Sequence, residues 1–208
     1  SKAANHFQEG GSEELAGVCY SIIRQHYISV KKDSFTGFHG DPHDLKGVGD
    51  YFLKNSDFEG AIECYRTAAE KAYDEEKLAL CGGLYRDIGD CHEKLKDLES
   101  AAKNYSKAAD MYLKCREYFE AAWHYCQSGF LFICMGKLDE ASIMSRKASS
   151  ACDEGRIDVL LNDLSHICRL LSKRAVYEAQ DRWKSIRMKF KSSYINLVDS
   201  CFQALGEN

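Results

Sequence analysis

The chain repeats itself every 40 residues. Gly49, Gly89 and Gly129 stand in register; Ala61, Ala101 and Ala141 follow twelve residues on, and Ala68, Ala108 and Ala148 seven after that. Three columns of small residues at one spacing mark a helical repeat, whose units bury their apolar faces by stacking on one another. Such architectures present surfaces to partners and seldom carry chemistry, so the period turns the functional expectation toward binding.

Within the middle unit, Leu84, Tyr85, Ile88, Gly89 and His92 fall at helical spacing, and Ala101, Tyr105 and Ala108 do so after Asp97 and Leu98. This predicts two amphipathic helices joined by a tight turn. The turns are predicted at 55–57, 95–97 and 135–137, and Ser56 with Glu59 fits a capping box at the start of a second helix. Glycine inside a helix costs about 1 kcal/mol relative to alanine, so Gly49, Gly89 and Gly129 need a steric reason. Each is expected to lie against the alanine-rich second helix of its own unit, with Phe58, Leu98 and Leu138 sealing the hairpin base.

The phasing of Gly49, Phe52, Phe58, Ala61, Tyr65 and Ala68, echoed at Gly89, Leu98, Ala101, Tyr105 and Ala108 and at Gly129, Leu138, Ala141 and Ala148, resembles the tetratricopeptide repeat. The resemblance implies stacked antiparallel helix pairs in a right-handed superhelix with a concave groove. Ser145 departs from the pattern where Tyr65 and Tyr105 stand, and the proline that closes such units is missing. The common repeat has about 34 residues; the longer unit here resembles those of the soluble NSF attachment proteins. The extra residues, around 72–77 and 111–116, contain no helix breakers and are expected to lengthen both helices.

Weaker copies extend the array. Phe7, Gly11, Ala16, Tyr20 and Ile23 repeat the pattern at the front, and Ala179, Trp183 and Ile186 near the end. The expected fold is therefore an all-α solenoid of about five helix pairs, at about 1–30, 45–75, 84–115, 121–152 and 157–188, with a capping helix at 191–205. The first unit lacks the start of its opening helix, so a longer array or a missing front is expected. Residues 31–44, with Gly37, Gly40 and Pro42, are predicted to form a loop insertion, and His39 and His43 within it are read as exposed residues without the rigid spacing of a metal site.

Composition narrows the function further. With 45% hydrophobic and 29% charged residues, the chain has material for a core and a solvated exterior. No apolar run approaches the roughly 20 residues that span a bilayer, and residues 1–11 have no signal-peptide pattern. The ten cysteines are spread along the chain without a C-x-x-C pair, so they read as reduced packing residues of a cytoplasmic or nuclear protein. Phosphate-binding, zinc-protease and serine-hydrolase motifs are all missing. No catalytic residue, metal or cofactor is expected.

Specificity should lie in columns that do not repeat. In the resemblance, the first helix of each pair lines the groove, which there holds Lys46, Asp50, Leu53 and Lys54, then Arg86, Asp87, Asp90, Glu93 and Lys94, then Trp123, Cys126, Gln127, Phe130, Ile133 and Cys134. The groove passes from charged to apolar. Asp50 and Asp87 replace the asparagines with which chaperone-binding relatives grip an acidic tail, so that ligand is disfavoured by like charge. The apolar stripe has two readings, a groove for a partner peptide or helix, or core covered by the following units. From Lys173 to Lys191, seven basic residues stand against Glu178 and Asp181; Lys184, Arg187 and Lys191 are expected on one face, for solvent, acidic lipid, nucleic acid or an acidic protein. The leading reading is a non-catalytic protein-interaction scaffold or adaptor. A membrane-trafficking adaptor similar to the attachment proteins and a nucleic-acid-associated subunit are the alternatives.

Overall fold

The computed structural model describes residues 41–157 and 159–206, together with residues 18, 21 and 22. The residues on which the predicted first unit rests, Phe7, Gly11, Ala16, Tyr20 and Ile23, lie outside the described residues, as does most of the predicted loop, His39 included. The chain divides into two compact units, Ser1–Lys77 and Leu78–Asn208.

The first unit contains α1 (Pro42–Lys54) packed on α2 (Phe58–Asp74). The predicted loop ends earlier than expected, because residues 42–44 are already helical. Asp41 accepts the His43 amide at 2.8 Å, and Pro42 sits in the first turn, where its fixed φ suits a helix and its missing N–H is no loss.

The second unit contains α3 (Leu78–Lys94), α4 (Leu98–Lys114), α5 (Tyr118–Cys134), α6 (Leu138–Gly155), α7 (Val159–Ser172), α8 (Val176–Ile186) and α9 (Ser192–Ala204). A 3₁₀ turn at Arg187–Lys189 links the last two. Consecutive helices from α3 to α8 pack on one another, α7 also packs on α5, and α9 folds back onto α5.

From α2 to α6 the helices begin at 58, 78, 98, 118 and 138, so the 40-residue period resolves into two 20-residue halves. The segments 72–77 and 111–116 do lengthen helices, but each also contains a turn. The seven connectors from α1 to α8 have the same form. Each has a left-handed residue, at Ser56, Glu76, Lys96, Arg116, Gly136, Arg156 and Arg174. The next amide reaches back to the carbonyl five residues earlier, as in Asp57 to Phe52 and Asp97 to His92, both 2.9 Å. This is the Schellman arrangement, which satisfies the last carbonyls of one helix immediately before the next begins. The predicted capping box at Ser56 is corrected accordingly. Ser56 closes α1 in the left-handed conformation, and Asp57 caps α2 by accepting the Gly60 amide at 2.9 Å; Asp97 does the same for Ser100 at 3.0 Å.

Small residues line the buried helix contacts. Ala61, Ala68, Ala69 and Ala72 in the first unit, and Ala101, Ala102, Ala108, Ala109, Ala121, Ala122, Ala141 and Ala148 in the second, are fully buried.

Candidate partner-binding face

The glycine column lies against the second helix of its own unit, as expected, and at Gly49 and Gly89 the group that fills the contact is a tyrosine ring of that helix. A Cβ at Gly49 would fall 2.4 Å from Tyr65 Cε1, and one at Gly89 would fall 2.7 Å from Tyr105 Cε1. The repeat at 121–152, with Ser145 in place of tyrosine, fills the space differently: Cys168 Sγ lies 2.6 Å from a Cβ built at Gly129, and Met144 Cβ 3.3 Å. The tyrosines are anchored at their far ends. Tyr65 donates to Asp50 at 2.8 Å, Tyr105 to Asp90 at 2.6 Å with Glu93 at 3.1 Å, and Tyr125 to Asp110 at 2.5 Å. The Tyr–Asp spacing of fifteen residues recurs in the sequence at Asp50 and Tyr65, Asp90 and Tyr105, and Asp110 and Tyr125, and these bonds close off Asp50 and Asp90, two of the expected groove residues.

These bonds change what the charged columns offer. In the first unit Lys46 pairs with Asp50 at 2.9 Å, so two of its four candidates are engaged with each other; Leu53 and Lys54 lie in the last turn of α1 with their side chains exposed. On α3, Arg86 pairs with Asp87 at 2.7 Å. Burial raises the pKa of Asp90, against the lowering effect of the Tyr105 bond; Glu93 is raised for the same reason. Lys94 stands exposed at the end of the helix. The α3 face is thus a preformed charge network with the Arg86 side chain 42% exposed.

The apolar stripe on α5 is core. Cys126, Phe130 and Ile133 are fully buried, and α9 covers them. Tyr194 sits 4.5 Å from Trp123 and 6.0 Å edge-on to Phe130, centroid to centroid, while Phe190 extends the cluster to Trp123 and Trp183 at 6.3 and 5.6 Å. The Cys201 sulfur lies 3.2 Å from the Phe130 carbonyl oxygen. Gln127 is held by its side-chain oxygen at 3.1 Å from His124 Nδ1. The residues covering the stripe, Tyr194, Val198, Cys201 and Phe202, are buried on α9. Their spacing of four, three and one is the amphipathic pattern that would have signalled it.

The expected basic face is not assembled on one helix. Lys184 is on α8, Arg187 opens the 3₁₀ turn, and Lys191 stands at the start of α9, because Phe190 is extended. Lys184 lies 3.6 Å from Asp181. Arg187 is bound to Asp199 at 2.5 Å, and the other Asp199 oxygen accepts the Trp183 indole N–H at 2.8 Å. Asp199, which the sequence did not single out, therefore ties α9 to the end of α8.

Antiparallel helix pairs joined by three-residue turns, with glycine–tyrosine contacts between the helices, define a helical-repeat scaffold of the tetratricopeptide type. The family model described as "Soluble NSF attachment protein, SNAP" matches residues 43–161, and the chain belongs to that family. It is also similar to Protein unc-45 homolog B of Xenopus laevis, 33% identical over 101 residues, 49% of this chain and 10% of that protein. Among solved structures, aspartyl phosphate phosphatase F from Bacillus subtilis superposes with a TM-score of 0.56 at 18% identity, covering 95% of this chain and 50% of that one. That likeness shows the fold alone. The chain spans a tenth of the curated relative and half of the solved chain. Among the described residues, no helix is long and apolar enough to cross a membrane.

Proposed function

We propose that this chain is a non-catalytic adaptor that holds a partner helix against the first-helix face of α3. Following its family, the partner is a helical bundle presented to an NSF-type ATPase in membrane trafficking, in a cytoplasmic setting. The observation that carries this reading is α9 itself. An amphipathic helix lies across α5, so this kind of face accepts a helix. In the 40-residue register, Arg86, Asp87, Asp90, Glu93 and Lys94 correspond to Cys126, Gln127, Phe130, Ile133 and Cys134. The α5 face takes an apolar helix from its own chain; the α3 face, with its charge network, suits a partner helix of mixed charge.

The test is a binding titration of the full chain with a purified NSF-type ATPase and a helical bundle, followed by gel filtration. A ternary complex is expected, weakened about tenfold or more by Arg86→Gln with Lys94→Glu. Failure of the unaltered chain to bind either component would overturn the reading.

A further inference from the structure

Cys134 is the last residue of α5 and Cys201 lies in the final turn of α9. Their sulfurs are 3.4 Å apart. Seven of the nine described cysteines are buried, while Cys115 and Cys134 are partly exposed. Cys115 turns its thiol to the carbonyls of Met111 and Tyr112. Among the described cysteines, then, Cys134 joins access from solvent with a neighbouring sulfur. The thiols also differ chemically. Burial pushes Cys81 and Cys152 up to about 11 and Cys91 and Cys168 up to about 12, but the contact with the Cys201 sulfur lowers Cys134. Cys201 is raised, by burial first and then by the same contact. One thiol of the pair is the better nucleophile, and the other waits beside it.

We propose that Cys134 and Cys201 form a redox-active dithiol whose oxidation staples α9 across α5. The oxidant is a small-molecule disulfide such as oxidised glutathione. The Cys134 thiolate attacks one glutathione sulfur, forming a mixed disulfide and releasing one glutathione thiolate. The Cys201 sulfur then attacks Cys134 Sγ and displaces the second glutathione, while the two protons lost by the cysteines pass to the two departing thiolates. The net change is one protein disulfide and two reduced glutathiones. To bond, the sulfurs close by roughly 1.4 Å, to the usual length of about 2.05 Å. The bond joins residues 67 apart in sequence, a long loop whose closure removes freedom from the unfolded chain. In the oxidised protein α9 cannot leave the apolar face of α5; in the reduced protein it is held by packing and by Asp199.

The test uses the full chain treated with oxidised glutathione, then alkylated under denaturing conditions and mapped by mass spectrometry without reduction. A Cys134–Cys201 linked peptide is expected, with a Tm raised by about 10 °C and returned to its starting value by dithiothreitol. Cys134→Ser should abolish both effects. Cys201→Ala should stop the reaction at glutathione on Cys134, and Cys115→Ser should leave the linkage intact. Full alkylation of both cysteines after oxidation, a linkage through any other pair, or a mixed disulfide that persists in the unaltered chain would each overturn the proposal.

Discussion

The ring of Tyr105 occupies the space a side chain at Gly89 would need: a Cβ there would come within 2.7 Å of Cε1 and 2.9 Å of Cδ1. The ring cannot retreat freely, because its hydroxyl is fixed between Asp90 and Glu93. Gly89→Ala gains about 1 kcal/mol of helix propensity and loses about 1–3 kcal/mol to overpacking. A net loss of up to about 2 kcal/mol is expected in urea denaturation. A stabilised variant would show that the glycine column is not a steric requirement.

Tyr105→Phe removes the donor that offsets burial of Asp90 and Glu93. Charge-assisted bonds of this kind contribute about 1.5–3 kcal/mol. Both carboxyls have folded pKa values above their unfolded ones, so each costs stability above its folded pKa, and that cost fades as pH falls toward the unfolded value. The substitution raises the folded values further. The deficit of Tyr105→Phe should therefore be largest at pH 7 and smaller at pH 4.5; a deficit that grows on acidification would contradict this arrangement.

His124 is buried between two tyrosines, 5.9 Å from the Tyr105 ring and 5.7 Å from that of Tyr112, in near-parallel stacks. Burial lowers its pKa to about 4, more than the Gln127 bond raises it, and Arg86 lowers it further. Glu120 approaches only to 3.8 Å from a half-exposed position. In the unfolded chain the ring takes its proton near 6.5. Its contribution is therefore intact above pH 6.5 and is lost as pH falls through 6.5 toward 4, by about 3 kcal/mol. His124→Phe keeps the stack and abolishes the titration. The stability difference between the two proteins, measured from pH 7.5 to 4, should shift in favour of the phenylalanine variant as pH falls.

Lys96 holds a left-handed conformation, φ 62°, in the turn between α3 and α4. An L side chain is strained there by about 1 kcal/mol, and glycine is not. Lys96→Gly should raise stability by about 0.5–1 kcal/mol in denaturant titration. A loss of stability would mean that the side chain contributes contacts that outweigh the strain.

The 40-residue echo located the hairpin turns because it repeats the small residues that make the helix contacts. The other set of turns, at Glu76 and Arg116, left no comparable sign, since left-handed positions normally flagged by glycine are filled by charged side chains. The binding columns were harder to read. Asp50 and Asp90 look like open charges in the sequence, but each accepts a tyrosine fifteen residues away. Phe130 looks like groove, but a helix more than 60 residues later lies over it. Lys184, Arg187 and Lys191 look like one face until the helix stops at Ile186. Periodicity carries the scaffold, whereas the site depends on long-range contacts: local patterns mark an amphipathic helix or a recurring Tyr–Asp spacing but not which face each one meets.

The central claim is that the first-helix face of α3 receives a partner helix. The most direct measurement is the affinity of a helical bundle with an NSF-type ATPase for three forms of the full chain: unaltered, Arg86→Gln with Lys94→Glu, and Lys184→Glu. The account predicts a fall of tenfold or more for the α3 variant and an unchanged affinity for Lys184→Glu. Unchanged binding by the α3 variant, or an equal loss from Lys184→Glu, would contradict it.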